Sequence, residues 1–156
     1  MSIDLGLFRP TIAFRYDDGG RQTAGYRGEA GDCVVRAIAI ASGRSYQEVY
    51  DALNELVKRE RPRKGARRFS SRAGVPKKIF HPYILGLGFR WVPCMRIGSG
   101  CAVHLQTDEL PRGRLIVRLS RHLAAVIDGV LHDLGDCSRG GTRCVYGYYT
   151  RGEVMP

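Results

Sequence analysis

The dipeptide Asp128-Gly129 constrains this chain more than any other feature of its sequence. It stands between two short runs that read as strands, HLAAVI (122–127) and VLHD (130–133). Asp-Gly between such runs marks a two-residue hairpin turn, because both central residues take positive φ there. The register follows: Ile127 pairs with Val130, Ala124 with Asp133 and His122 with Gly135. Alternation then places His122, Ala124, Asp133 and Gly135 on one face and His132 on the other. His122 and Asp133 become diagonal neighbours, roughly 7–8 Å apart at their α-carbons, a gap that one side-chain hydrogen bond closes. A one-residue slip would separate them onto opposite faces. Asp128 reads as the turn residue, and Asp136 is the alternative carboxylate if the hairpin is longer.

The rest of the chain arranges itself around that hairpin. FRWVPCM, RLIVRLS and RCVYGYYTR add strands. Ahead of them lie helices. After Cys33, Val34, Ile38 and Ala41 form one stripe, and Val35, Ala39 and Ser42 lie beside it. That helix is apolar nearly all round, which predicts a central, buried position, and Gly43 stops it. Ser45 and Glu48 form a capping-box pattern for a second helix. Pro76 suits the first turn of a third, which Pro82 is expected to kink or interrupt. Helices followed by antiparallel strands argue α+β, in one domain over residues 1–156. Its expected parts are a hairpin at 11–27, helices at 33–61, a mobile basic loop at 62–74, a helix at 76–88 and strands at 89–150.

The net charge is +10, carried mostly by arginine. Such a surface attracts polyanions and acidic partners. The densest cluster is KRERPRKGARRFSSR, in which Arg63, Lys64, Arg67 and Arg68 are candidate contacts to a substrate or polyanion. There is no apolar run long enough to span a membrane and no signal peptide, so a cytoplasmic protein is expected. Five cysteines, an odd number, argue against a disulfide framework and leave at least one thiol free. Cys101-x-x-His104, with Cys94, Cys137 and Cys144, hints at zinc. Only one of its pairs is tight, so neither metal nor cofactor is expected. His81 reads as structural. No P-loop, dinucleotide fingerprint or RNA-recognition signature is present.

Cys33 carries the chemistry. A free thiol is only a few per cent thiolate at neutral pH. A helix N-terminus and a neighbouring imidazolium both favour the thiolate, and a carboxylate on the far ring nitrogen steadies the imidazolium. Cysteine at a helix head, histidine on a strand and aspartate on the next strand are the parts of a thiol hydrolase. GDCVVRAIAIASG and RHLAAVIDGVLHDLGD, in this order, resemble the papain-like cysteine peptidases. They are most similar to small phage and bacterial proteins related to the leader peptidases that process bacteriocins. The resemblance covers residues 25–150. It implies a nucleophile, Cys33, at the start of a helix packed on an antiparallel sheet, with His122 as general base and Asp133 orienting it. It also implies a peptidase or isopeptidase reaction on a peptide or protein substrate. In that superfamily a glutamine upstream of the cysteine helps form the oxyanion hole. Arg27 stands at that place here, and Gln22 and Glu29 are the nearest candidates. The alternative is an inactive module of the same scaffold that binds nucleic acid or an acidic protein through its basic surface.

Overall fold

The structure is a computed structural model that describes residues 11–60, 64–65 and 68–152. Its elements run β1 (Ala13–Tyr16), α1 (Cys33–Ser42), α2 (Tyr46–Arg59), α3 (Lys77–Gly86), β2 (Arg90–Pro93), β3 (Arg114–Leu119), β4 (His122–Ile127), β5 (Val130–Asp133) and β6 (Gly147–Arg151). Three helices and one six-stranded sheet make an α+β fold. The sheet order is β1-β5-β4-β3-β6-β2. Among the described residues no helix is long and apolar enough to cross a membrane.

The Asp128-Gly129 turn forms as its chemistry demands, with φ of 48° and 79°. Ile127 pairs with Val130 and Ala125 with His132, the expected register. His132 faces away from Asp133 and meets Asp17 at 3.1 Å. A second two-residue turn, Ser120-Arg121, joins β3 to β4.

The sheet divides the core into two layers. On one side, Ile116, Leu123, Ala125 and Tyr149 pack with α1, α2 and α3. On the other, Leu115, Val117, Ala124, Val126 and Leu131 pack against Leu105, Leu110 and Val145 from irregular chain. Each fully buried large side chain of this kind stabilises the fold by about 1.5–3 kcal/mol. His81 is structural: its Nδ1 meets the Tyr149 hydroxyl at 2.7 Å.

The helix termini follow their caps. Gly43 takes the left-handed conformation at φ 76°, and its N–H reaches Ala39 O at 3.0 Å. Ser45 Oγ accepts the Glu48 N–H at 3.1 Å, but the Glu48 carboxylate pairs with Arg44 instead of completing the box. Pro82 does not interrupt α3. It is the sixth residue, so the carbonyl it deprives is that of Lys78, in the first turn.

Three expectations need correction. The 11–27 hairpin does not form. Asp17 and Asp18 turn their carboxylates onto the N–H groups of Gly19, Gly20 and Gln22, and the chain continues in successive turns. The open edge of β5 takes β1 instead, in parallel, so the sheet is mixed rather than antiparallel. Second, the basic loop is fixed at its C-terminal end. Ser70 and Gly74 form a bridge, and Ser71 donates to Tyr50 O at 2.6 Å while its N–H reaches Asn54 Oδ1. Third, one disulfide is present: Cys101 bonds Cys144 across α-carbons 5.8 Å apart, leaving Cys33, Cys94 and Cys137 free. The neighbouring His104–Cys144 bridge brings these segments together.

Candidate active site

Three elements have an end at one corner of the sheet. Cys33 opens α1, His122 opens β4 and Asp133 closes β5. His122 Nε2 donates to Asp133 Oδ2 at 2.6 Å. That bond occupies Nε2 and leaves Nδ1 as the nitrogen available to a thiol. The ring interacts with two sulfurs, Cys33 and Cys137. They belong to different layers: Cys33 packs with the helix-side cluster, Cys137 with the opposite one. The imidazole stands between them at the sheet's end.

The electrostatics favour a thiolate at Cys33. Burial alone would push its thiol up. The His122 side chain, the Leu123 N–H and the charges of His122 and Arg36 outweigh burial and hold it below the ordinary value. Burial likewise opposes an imidazolium at His122, but Asp133, Cys137 and Cys33 push its pKa up to about 11. Burial would raise the Asp133 carboxyl, yet His122, the Leu134 N–H and Arg36 hold it below the usual range.

Asp133 is fixed on three sides. Oδ2 takes His122, while Oδ1 takes the Leu134 N–H at 2.7 Å and Arg36 Nη2 at 3.3 Å. Arg36 is only 6% exposed although it lies on an apolar helix. Its other nitrogen pairs with Asp32, one turn earlier. Asp32 also accepts the Tyr46 hydroxyl at 2.6 Å and faces Arg21 Nε at 3.4 Å. Burial and the Asp32 carboxylate keep that hydroxyl protonated far above its usual range. A buried polar row therefore runs Tyr46–Asp32–Arg36–Asp133–His122 and ends at the thiol. Buried charges persist only when paired in this way. Arg36 and Asp32 were visible in D-C-x-x-R as an i, i+4 pair, and a charged pair inside an otherwise apolar helix was the signal for their role.

Cys33 and His122 line one cleft of about 560 Å³. Its walls include Val34, Phe80 and Leu123, and also Gly31 with Ala73–Gly74–Val75. The last group was unreadable in sequence, because the loop that supplies it looked merely basic. A side chain at Gly31 would crowd this wall, its Cβ standing 3.2 Å from Ala73 O, tighter than an ordinary contact.

The two oxyanion candidates do not reach this cleft. Gln22 lines a separate cavity with Arg21 and Tyr26, and Glu29 is exposed with its carbonyl accepting from Arg72. The turns that replace the expected hairpin carry both away. Backbone groups at the start of α1 are donors beside Cys33. Asp32 spends its carboxylate on Arg36, Tyr46 and Arg21, so it does not cap α1. The first helical bond is Arg36 N–H to Asp32 O at 3.1 Å, so the N–H groups of Cys33 and Val34 precede the helical ladder and adjoin the cleft.

Lys64 and Arg68 are exposed and line none of the cavities at this corner, and Arg63 and Arg67 lie outside the described residues. The zinc pattern is not assembled: Cys101 and Cys144 bond each other, and His104 Nδ1 meets Glu109 at 3.1 Å. Among the described residues His122, Asp133 and Cys137 do bring potential ligand atoms within 4.8 Å of one another. His122 and Asp133 already hydrogen-bond each other, and Arg36 places a positive charge on the same carboxylate. No family model, curated protein or solved structure matches the chain.

Proposed function

We propose that this chain is a cysteine-dependent acyl-transfer hydrolase of papain-like architecture, acting on a peptide or isopeptide bond. The observation that carries the reading is the 2.6 Å bond from His122 Nε2 to Asp133, which presents the other side of the ring to a thiol held below its ordinary pKa.

The chemistry runs in two stages. The Cys33 thiolate attacks the carbonyl carbon, and the π electrons move to oxygen. The N–H groups at the start of α1 receive that oxyanion; one such donor is worth roughly 10²–10³ in rate. His122 gives its Nδ1 proton to the leaving amine as the C–N bond breaks, leaving a thioester on Cys33. Water then gives a proton to His122 as it attacks the thioester carbon, and the acid departs as the C–S bond breaks, with Cys33 again a thiolate. Asp133 stays ionised and holds the ring throughout. Transfer to an amine instead of water uses the same groups.

Thiol selectivity tests this reading. Iodoacetamide at pH 6, followed by mass spectrometry, labels Cys33 ahead of Cys94 and Cys137. Equal labelling of the three free thiols sinks the proposal and leaves a scaffold that binds through its basic surface.

A further inference from the structure

On the other side of His122 lies a second cavity, of about 740 Å³, which the reaction above does not use. Ser120, Arg121 and His122 line both cavities, so they form a shared rim. A chain lying in the Cys33 cleft has only this rim to cross to enter the second cavity. We infer that the second cavity is a subsite for an acidic side chain, and that the substrates are acidic polypeptides. This rests on the hydrolase reading and names its substrate class.

Four guanidinium groups, of Arg36, Arg121, Arg139 and Arg143, face two carboxylates, of Asp133 and Asp136. Two of the four are already engaged. Arg36 is paired with Asp32 and Asp133, and Arg143 donates from Nη2 to Ser120 O at 2.7 Å, which props the rim. Asp133 belongs to His122, and Asp136 accepts the Ser138 N–H at 2.9 Å. Arg121 and Arg139 are exposed, and among the described residues neither pairs with a carboxylate. These two guanidiniums are the charge that a ligand would neutralise.

Their backbone adds a second, independent observation. Only three described non-glycine residues have positive φ: Arg121 at 55°, Asp128 at 48° and Arg139 at 52°. Asp128 sits in an Asp-Gly turn that favours it. Arginine has no local hydrogen bond to recommend it there, and Gly or Asn would suit both places better. Two arginines with this backbone flank one cavity beside His122. The β3–β4 turn itself demands the positive φ at Arg121, and Gly or Asn would meet that demand at less cost, so it is the choice of arginine that points to the side chain. A guanidinium binds a carboxylate through two parallel hydrogen bonds, and at exposed arginines such a pair weakens as salt rises.

Paired peptides that differ only by Glu or Gln near the scissile bond provide the test. Turnover is measured with the intact protein, and binding by fluorescence anisotropy with Cys33→Ala, so the two readings separate. The Glu peptide is expected to bind and turn over about tenfold better. Arg121→Asn and Arg139→Asn each erode that preference, and asparagine keeps the left-handed backbone. The double variant Arg121→Asp/Arg139→Asp shifts the preference to a Lys peptide, while an unchanged melting temperature reports a retained fold. Equal binding and turnover of the Glu and Gln peptides overturns the subsite and leaves the hydrolase standing. Arginine-dependent binding of the Glu peptide without turnover of any peptide supports the subsite and removes the hydrolase. Binding of a short single-stranded DNA through Arg121 and Arg139, with no peptide preference, overturns the inference in favour of nucleic acid.

Discussion

Cys33 and Cys137 both raise the pKa of the same imidazole from opposite layers of the fold, but their surroundings differ. Cys33 begins a ten-residue helix, beside N–H groups that no side chain caps, above a cleft with apolar walls. Cys137 follows β5 in irregular chain and faces a cavity lined by arginines. Proximity to histidine is common to both. The helix start and the apolar wall are not. A thiol becomes a nucleophile through its surroundings, and the scissile carbonyl needs donors and a seat on the same side of the ring.

Replacing each sulfur in turn breaks this comparison most directly. Cys33→Ala is expected to lower turnover by roughly 10⁴-fold or more, because the covalent step has no substitute. Cys137→Ala should stay within a few-fold. Comparable losses from both, measured on the same peptide, would make the two sulfurs equivalent and dissolve the asymmetry.

The next largest effect lies behind the helix side. Arg36→Leu leaves Asp32 and Asp133 buried, at 1% and 5% exposure, without their shared cation. Removing one partner of a buried pair costs about 3–5 kcal/mol. Urea unfolding should show that loss, and Asp32→Asn added to Arg36→Leu should recover part of it. No recovery would mean that the row is not coupled.

Acidity separates the two sides at a smaller scale. The Cys33 thiol lies below its ordinary value, so alkylation should appear at a lower pH than for a free thiol, and fall away as pH drops through the folded value. His122 lies above its ordinary value, near 11, so the imidazolium partner persists through neutral pH and is lost only on strong alkalinisation. In His122→Ala the largest opposing influence, burial, remains, while the influences that outweighed it go. The midpoint for Cys33 should then rise above that of a free thiol, and labelling at pH 6 should fall. An unmoved midpoint would mean that the helix start, not the ring, sets the thiol.

How legible all this was depends on the range of the interaction. The turn at Asp128-Gly129 is local chemistry, and it delivered the register that joins His122 to Asp133. Ser45 and Gly43 capped their helices for the same reason. The larger failures are non-local. Nothing within 11–27 reveals that the free edge of β5 outcompetes a hairpin partner for β1. The basic loop hides Ser71, which α2 anchors and which thereby sets Ala73–Val75 as a cleft wall. The Cys101–Cys144 bond joins segments 43 residues apart, and an odd cysteine count gives no hint of which pair meets. Arg121 and Arg139 read as two arginines among many until the fold placed them around one cavity.

The smallest effect asks how far the helix side extends. Tyr46 is 2% exposed, and its hydroxyl donates to the Asp32 oxygen that Arg36 does not hold. Tyr46→Phe removes one hydrogen bond to a buried carboxylate and keeps the ring in its stack with Tyr26 and Tyr50. A charged acceptor left short of one donor costs about 1.5–3 kcal/mol. Arg21 and Arg36 still face Asp32, so the lower end applies. Tyr46 reaches His122 only through Asp32, Arg36 and Asp133, and the Cys33 labelling midpoint should not move measurably. A loss of stability with the midpoint unchanged makes Tyr46 a structural anchor for the row. A midpoint that rises in step with the lost stability would carry the helix-side advantage of Cys33 over Cys137 all the way to α2.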